Sequence, residues 1–237
     1  MPDTRTHRGP HPEDRRLFAD DAVPCLRAAT EDLCWLLERG YAADSSLKLV
    51  GDRHGLRKRQ RVAAARCACS DADRLARRRR MVEPSQAAGQ PLWLDGYNIL
   101  TTVEAALAEG VILVARDGCY RDMAGMHGSY RKVAETRPAL ARIGRVLDQL
   151  GPSECVWYLD RPVSNSGRLR AIILEVAGAE NYPWRVELVA DPDPVLTAAD
   201  AVVATADSVI LDNCRRWLNL AQMVVAAEVP QAWLVKL

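Results

Sequence analysis

The sequence predicts an α/β fold with a mostly parallel sheet, preceded by a small all-α basic domain, and three observations support this. After residue 91, apolar runs alternate with helical patterns, which is typical of βαβ units. Before that point, apolar residues recur at helical spacing. Residues 83–91 are polar, small and proline-containing, which favours a linker. We therefore expect a helical basic domain at 1–84 and an α/β domain at 91–237.

The individual elements follow from the same patterns. Pro24 and Gly40 are suited to begin and end one N-terminal helix, and a second is expected from about Leu56 to Ala68. In the second part, we expect strands at 91–94, 155–159, 185–190, 202–205 and 222–226. The helices are expected at 101–109, 137–150, 167–179 and 208–219. A polar segment between Arg116 and Thr136 interrupts the alternation, and its length is typical of a functional loop.

The net charge of +1 conceals an uneven distribution, since residues 1–85 carry +5 and residues 90–237 carry −4. Residues 48–80 hold 12 Lys and Arg against 3 Asp, a net charge of +9. Such a segment is typical of polyanion binding, although a solvated charged helix face explains it as well. The candidate nucleic-acid-binding residues are Arg53, Arg57, Lys58 and Arg61.

Other features of the composition favour a cytoplasmic protein without a membrane segment. No apolar run approaches the roughly 20 residues that a membrane span requires, and the N-terminus is polar. The seven cysteines form no Cys-x-x-Cys pair, so reduced thiols are favoured over disulfides or a zinc site.

Three aspartates, Asp95, Asp160 and Asp207, each follow an apolar run that is a predicted strand. Because the carboxyl ends of parallel strands meet at one edge of a sheet, we expect these side chains to converge. Clustered carboxylates are costly unless a cation neutralises them, so the pattern predicts Mg²⁺ or Mn²⁺. Such a centre activates water for attack on a phosphodiester. The alternative is that these aspartates cap helices or end strands.

Further polar residues surround these positions in the sequence. Asn98 is suited to orient Asp95, to bind metal through water, or to cap the following helix. Asp191 and Asp193, in Asp-Pro-Asp-Pro, are more typical of a turn.

The segment 160–168 follows one predicted strand and opens a helix. Its hydroxyl, amide and guanidinium groups suit a phosphate, unless the segment is only a loop with a helix cap. The candidate substrate-binding residues here are Arg161, Ser164, Asn165, Ser166 and Arg168. The long loop adds Arg121 and His127 as substrate-binding candidates and Asp122 as a further carboxylate.

Three short motifs of the second part resemble those of the NYN branch of PIN-like nucleases. Leu94-Asp95-Gly96-Tyr97-Asn98-Ile99 resembles the opening motif, Tyr158-Leu159-Asp160 the middle one, and Val203-Ala204-Thr205-Ala206-Asp207-Ser208 the late one. The resemblance implies a Rossmann-like PIN/NYN α/β/α sandwich and metal-dependent RNA cleavage. It also implies that Asp95, Asp160 and Asp207 are metal ligands and that Asn98 organises the site.

Over nearly the whole chain, the sequence is also similar to a prokaryotic family, domain-of-unknown-function family 434. The residues that carry this similarity in the first part are His11-Pro12, Leu17-Phe18, Leu36–Tyr41, Leu49–Arg53 and Arg59-Gln60-Arg61. Those in the second part are Arg116-Asp117-Gly118, His127–Tyr130 and Arg161–Gly167.

The sequence thus predicts a metal-dependent ribonuclease in which Mg²⁺ or Mn²⁺ is the cofactor and RNA the partner of a basic helical domain. Two alternatives stay open. One is a non-catalytic PIN-like protein that binds RNA or a nucleotide, and the other is a small-molecule phosphoester enzyme that uses the 160–168 turn. No membrane partner is expected, and a homodimer is left open.

Overall fold

A computed structural model describes residues 7–124 and 130–237, which form a mixed α/β structure with two sheets. Within these residues the strands are β1 (Pro91–Asp95), β2 (Val111–Val114), β3 (Tyr120–Asp122), β4 (Glu154–Asp160), β5 (Trp184–Val189), β6 (Val202–Ala204), β7 (Trp217–Leu218) and β8 (Trp233–Lys236).

The helices of the first part are α1 (Asp14–Leu17), α2 (Val23–Glu38), α3 (Ala43–Arg53), α4 (Lys58–Cys67), α5 (Asp71–Arg80) and α6 (Pro84–Ala87). Those of the second part are α7 (Gly96–Leu107), α8 (Thr136–Leu150), α9 (Ser166–Glu180), α10 (Pro192–Thr197), α11 (Ser208–Asn213) and α12 (Leu220–Glu228). In the described part of the chain, no helix is both long and apolar enough to cross a membrane.

The larger sheet is parallel throughout and has the strand order β5-β4-β1-β6-β7. The chain runs outward from β1 through β4 to β5, and then returns to β6 on the other side of β1. Asp95 lies opposite Tyr158 of β4, and Leu94 lies opposite both Trp157 of β4 and Ala204 of β6. Where the order reverses, neighbouring connections leave the sheet on opposite faces, so a crevice opens beyond the carboxyl ends of β1 and β6.

Both faces of this sheet are covered by apolar side chains, which explains the continuous apolar runs. Leu92 and Leu94 belong to the core that α7, α8, α9 and α12 form on one face. Val156 and Val203 belong to the core on the other face, together with Ile210 of α11. The larger sheet is therefore a middle layer that holds the ends of its strands in fixed positions.

The smaller sheet joins the N-terminal helices to the rest of the chain. It has the order β3-β2-β8, with β2 antiparallel to β3 and parallel to β8. Leu26 and Leu33 of α2 and Val50 of α3 share one apolar core with Leu113 of β2 and Val235 of β8. The helices thus pack directly on this sheet, while the division into domains at 1–84 and 91–237 stays a prediction.

Gly96 allows α7 to begin immediately after β1. A Cβ atom at this position would lie 2.6 Å from Leu159 Cδ2 and 2.8 Å from the Tyr158 carbonyl oxygen, which is closer than real Cβ atoms approach. The strand therefore turns into the helix without a loop, because glycine alone fits against β4. As a result, Asp95 and Asn98 lie within one turn at the edge of the sheet.

Much of the predicted element pattern is confirmed. The strands predicted from 91, 155, 185 and 202 are present with ends within one residue, as are the helices predicted at 137–150 and 167–179. The two N-terminal helices are present as α2 and α4. A mixed α/β fold with a mostly parallel central sheet is therefore confirmed.

Several predictions about elements were wrong. Residues 222–226 are helical rather than a strand, because Leu220, Ala221, Val224 and Val225 bury one helical face. The helix expected at 208–219 ends at Asn213, and β7 follows it. The helix expected from 101 begins five residues earlier, at Gly96.

The region predicted as a linker is also packed rather than free. Residues 84–87 form α6, whose Ala87 is buried, and β1 begins at Pro91. The sequence patterns missed the whole smaller sheet, since its strands are only three or four residues long. They also missed α3 and α5.

Candidate functional site

An open cleft of about 620 Å³ lies beyond the carboxyl ends of β1, β4 and β6. Five aspartates line it: Asp95, Asp160, Asp193, Asp207 and Asp122. The first two end β1 and β4, and Asp207 follows β6. The predicted convergence of Asp95, Asp160 and Asp207 on one cleft agrees with this arrangement, which follows from the reversal of strand order beside β1.

Hydrogen bonds tie the turn after β1 to the turn after β6. The Thr205 hydroxyl donates to Asp95 Oδ2 at 2.8 Å and accepts the Asp207 backbone N–H at 3.0 Å. Asn98 Oδ1 accepts the Ala206 backbone N–H at 2.9 Å. Asn98 therefore holds the β6 turn in place, and Thr205 orients the carboxylate of Asp95.

Asp207 also caps a helix, as the alternative interpretation expected. Its Oδ1 accepts the backbone N–H groups of Val209 at 2.8 Å and Ile210 at 3.3 Å, at the start of α11. Asp193 lies in the first turn of α10, where Asp191 is the capping residue and accepts the Asp193 N–H at 3.1 Å. The turn role thus belongs to Asp191, whereas Asp193 lines the cleft.

The electrostatic environment of the cleft disfavours negative charge. Burial raises the pKa of Asp95 to about 7, and repulsion by Asp207 and Asp193 acts in the same direction against the Thr205 hydrogen bond. Burial also raises the pKa of Asp193, followed by the charges of Asp207, Asp191 and Asp160. The pKa of Asp160 is raised by burial and by Asp191. Burial and mutual repulsion thus disfavour the charged forms of Asp95, Asp160 and Asp193.

Oxygen donors of this kind fit a hard divalent cation. Among the described residues, no three His, Cys, Asp or Glu side chains lie close enough together to hold one metal ion. Mg²⁺, however, usually binds through one or two carboxylates and retains several waters. Asp95 and its neighbours therefore match the donor chemistry of Mg²⁺ or Mn²⁺, and the half-buried Asp95 is the side chain that gains most from neutralisation.

The predicted substrate-binding residue Arg121 is used inside the protein. Its guanidinium forms an ion pair with Asp117 at 2.7 Å and donates to the carbonyl oxygens of Ala206 at 2.8 Å and Arg66 at 3.0 Å. Asp117 also pairs with Arg77 of α5 at 2.6 Å. Although burial alone would raise it, the pKa of Asp117 is lowered by the charges of Arg121 and Arg77. Through the hydrogen bond from Arg121 to the Ala206 carbonyl oxygen, this buried network holds the turn after β6 in place.

The 160–168 turn does not line the cleft beyond Asp160. Ser164 O accepts the Tyr130 backbone N–H at 3.2 Å, and Asn165 Nδ2 donates to Tyr130 O at 3.0 Å. Ser166 Oγ donates to the Arg161 carbonyl oxygen at 3.2 Å.

The two arginines of this turn, Arg161 and Arg168, are exposed. Arg161 donates to Leu188 O at 2.8 Å, and Arg168 lies in the first turn of α9. The structure thus places Ser164 and Asn165 beside Tyr130, and the role of all five residues toward a substrate stays a prediction.

Tyr130 is held on its other side by a buried acid. Its hydroxyl donates to Glu104 Oε1 at 2.6 Å, and Arg8 pairs with Glu104 Oε2 at 2.6 Å. The predicted residue His127 lies outside the described residues. Asp122 is buried and accepts hydrogen bonds from Thr101 at 3.0 Å and Thr102 at 3.2 Å, so it helps to shape the cleft wall.

The N-terminal helices also contribute to the lining of the cleft. Leu47 of α3 and Val62, Ala65 and Arg66 of α4 line it. Arg66 is bonded to the carbonyl oxygens of Asp122 and Ala124, the latter at 2.8 Å. The cleft is therefore bounded by carboxylates on the sheet side and by mostly apolar side chains on the helical side.

The predicted nucleic-acid-binding residues differ in their surroundings. Arg61 donates to Leu56 O at 3.0 Å and pairs with Asp52 at 2.7 Å, so it binds the α3–α4 turn. Arg53 is exposed and lies 3.6 Å from Asp32. Arg57 and Lys58 are exposed at the start of α4, and Lys58 precedes Val62 by one turn on the same helical face.

A family model described as "Domain of unknown function (DUF5616)" matches residues 84–223, which is more than half of the chain. The chain belongs to this family. A second model, described as "Protein of unknown function (DUF434)", matches residues 25–80. The similarity to family 434 is therefore confirmed for the helical part, but its extension over the whole chain was wrong, because DUF5616 matches the rest.

A relative from Methanocaldococcus jannaschii, described as uncharacterized protein MJ0935, is 31% identical over 188 residues. The alignment covers 79% of this chain and 89% of the relative. The comparison with solved structures finds no match. The relative therefore contains most of both matched regions in one chain.

Sequence reasoning missed two residues that the structure brings to the site. Thr205 stands at the end of the β6 run, where a hydroxyl two residues before Asp207 was the available signal. Asp193 was interpreted as part of a turn, since Asp-Pro-Asp-Pro is typical of turns and gives no indication of which aspartate faces the sheet. Both become evident only when the β6 and α10 segments are placed beside β1.

Proposed function

We propose that this protein is a Mg²⁺- or Mn²⁺-dependent ribonuclease with its active site in the cleft beyond β1, β4 and β6. The observation that carries the proposal is the half-buried Asp95, whose pKa is raised to about 7 by burial and by Asp207 and Asp193. Buried carboxylates that repel one another cost stability, so their presence at one cleft is typical of a functional site.

The sheet topology supports a Rossmann-like PIN/NYN architecture for this region. Numbered along the chain, the five parallel strands have the order 3-2-1-4-5, which is that of doubly wound nucleotide-binding sheets. Helices cover both faces, as in an α/β/α sandwich. The cleft lies where such folds bind their ligands.

The metal would be held by Asp95 and Asp207, with Asp160 and Asp193 nearby. When bound, it would supply neutralisation of the phosphate charge and a lowered pKa for a coordinated water. Thr205 orients the Asp95 carboxylate through its hydroxyl, and Asn98 fixes the backbone of the β6 turn. A carboxylate with a raised pKa, such as Asp160 or Asp193, is suited to accept a proton from attacking water.

The exposed cations of α4 support a nucleic acid as the substrate. Arg57 and Lys58 stand at the end of the helix that forms the cleft wall. Phosphates that leave the cleft along this helix would meet them, and such contacts bind the backbone without reading sequence.

The proposal is tested by cleavage of a fluorescent oligoribonucleotide in Mn²⁺, Mg²⁺ and EDTA. We expect the parent protein to cleave with either metal and not in EDTA. Asp95→Asn combined with Asp207→Asn should reduce the rate at least about 100-fold, since metal-bound charge stabilisation is worth several kcal/mol. Asp200→Asn is the matched control, because Asp200 is exposed and pairs with Arg215 outside the cleft.

Two results would contradict the proposal. One is a double variant that is folded by circular dichroism and cleaves as fast as the parent. The other is a parent that binds the oligonucleotide in EDTA with steep salt dependence and yields no products with any metal, which would identify a binding protein instead.

A further inference from the structure

The helical wall of the cleft differs from what the charge of its segment predicts. Residues 48–80 have a net charge of +9, yet α4 within this segment presents Val62 and Ala65 to the cleft, and Leu47 of α3, just before the segment, joins them. Arg66, which also lines it, uses its guanidinium on the carbonyl oxygens of Asp122 and Ala124. The surface of α3 and α4 that lines the cleft is therefore mostly apolar, although the segment 48–80 is rich in cationic side chains.

An apolar wall opposite a metal and phosphate site fits a nucleotide in one orientation. Its phosphate would lie toward Asp95 and Asp207, and its base would lie toward α3 and α4. Every base has an apolar π-face that packs on such surfaces regardless of sequence. The cleft volume of about 620 Å³ lies within the range of about 300–1,000 Å³ that is usual for small-ligand sites.

We infer that Leu47, Val62 and Ala65 form a nucleobase subsite, on which an unpaired base beside the cleaved phosphodiester packs. The inference rests on the proposed function and adds a second role for the helical part. Its cleft-facing residues recognise a base, while Lys58, one turn away, contacts the next phosphate. A base-paired residue cannot occupy this subsite, because its faces are already stacked between neighbours.

The test compares an oligouridylate with versions that carry one abasic ribose at successive positions. In Mn²⁺, we expect kcat/KM to fall on the order of tenfold when the missing base is next to the cleaved bond, which corresponds to the usual strength of base packing. The other positions should have little effect.

Two variants with a matched control assign the effect to the wall. Leu47→Ser should raise KM for the oligouridylate on the order of tenfold and leave KM for the abasic version unchanged. Leu49→Ser is the control, since Leu49 is on the same helix, 61% exposed, and lines a groove on another face. Ala65→Trp, at an exposed position that tolerates a larger side chain, should lower KM only for the version that carries the base.

The outcomes separate the two proposals. Cleavage that is equal with and without the base, and unchanged in Leu47→Ser and Ala65→Trp, would overturn the subsite and leave the nuclease intact. A parent protein that neither cleaves nor binds any of these oligonucleotides would overturn the proposed function, and the subsite with it.

Discussion

The Asp117 network and the cleft around Asp95 both hold carboxylates that are at least partly shielded from solvent, and they differ in how this charge is balanced. Asp117, whose side chain is 1% exposed, lies between Arg77 and Arg121 with N–O distances of 2.6 and 2.7 Å. In the cleft, Asp95 has the hydroxyl of Thr205 and the charges of other aspartates around it. The pKa of Asp117 is lowered by its arginines, although burial opposes this, whereas burial raises the pKa of Asp95.

The difference separates a cluster whose charge is balanced by arginines from one whose charge is not, within the part of the chain that the structure describes. The two arginines that reach the cleft, Arg66 and Arg121, are already bonded to backbone carbonyls and to Asp117. The fold thus places two arginines on Asp117, whereas Asp95 has a hydroxyl and further aspartates beside it. Removal of the Asp117 carboxylate should therefore lower the stability of the protein, whereas removal of the Asp95 charge should raise it.

The largest expected effect is the loss of the neutralised cluster. Asp117→Ala would leave Arg121 buried without its carboxylate and Arg77 with Asp212 alone, and should reduce the free energy of unfolding by about 3–5 kcal/mol in urea denaturation. Because the folded-state pKa of Asp117 lies below its ordinary value, this contribution is present at neutral pH and disappears as pH falls through that pKa.

The matched control is Asp200→Ala, which removes an exposed ion pair with Arg215 and should cost about 1 kcal/mol or less. Equal small losses in both variants would contradict the structural role of the Asp117 network.

A smaller effect is expected when the support of Asp95 is removed. Thr205→Val deletes the hydroxyl that donates to Asp95 at 2.8 Å and accepts from the Asp207 N–H. Mn²⁺ affinity, measured by isothermal titration calorimetry, should fall about 10–100-fold, as for other groups that orient metal ligands. Thr205→Ser should retain most of the affinity.

Thr102→Val provides the comparison, since Thr102 also lines the cleft but donates to Asn98 O and Asp122. Equal affinity in Thr205→Val and the parent would mean that the Thr205 hydroxyl has no part in metal binding.

The smallest expected effect is an increase in stability, because Asp95→Asn removes a negative charge that no nearby cation among the described residues balances. The pKa of Asp95 is raised from 3.8 to about 7 in the folded metal-free protein, so the stability of the parent should decline as pH rises from about 4 to 7. Asp95→Asn lacks this decline. At pH 8 in EDTA it should be more stable by about 1–2 kcal/mol, a value discounted for the half-buried position.

Thermal melts across this pH range check the expectation, and the difference between the two proteins should vanish near pH 4. Parallel curves for the parent and Asp95→Asn would show that Asp95 carries no unfavourable charge.

The sequence predicted the central sheet well because its strands are buried on both faces and read as continuous apolar runs. The same property explains why the sequence alone predicts Asp95, Asp160 and Asp207 at one edge of the sheet. Residues 222–226 were misassigned for a related reason, since a short apolar run with two valines fits a strand and a buried helix equally well.

What could not be predicted depends on contacts between distant parts of the chain. Arg121 looks like a phosphate ligand in its loop, but the fold brings it to the Ala206 carbonyl oxygen, 85 residues away, and brings Arg77 of α5 to Asp117, the partner of Arg121. Likewise, the count of cations in residues 48–80 gives no indication that Arg66, Arg77 and Arg80 bond to carbonyl and carboxylate oxygens inside the protein. Composition measures charge, whereas the fold decides which charges face solvent.

The hydrogen bond between Thr205 and Asp95 joins residues 110 positions apart, and this has a consequence for synthesis of the protein. A growing chain can fold α2 to α4 early, because their contacts are local, but the central pairing of β1 with β6 must wait until residue 204 has been made. Until then, Asp95 and Asp160 can meet through the pairing of β1 with β4, but Asp207 and the Thr205 hydroxyl are missing. A chain that stops before β6 is therefore expected to be inert, so the activity proposed for this cleft becomes available only after Asp207 has been made.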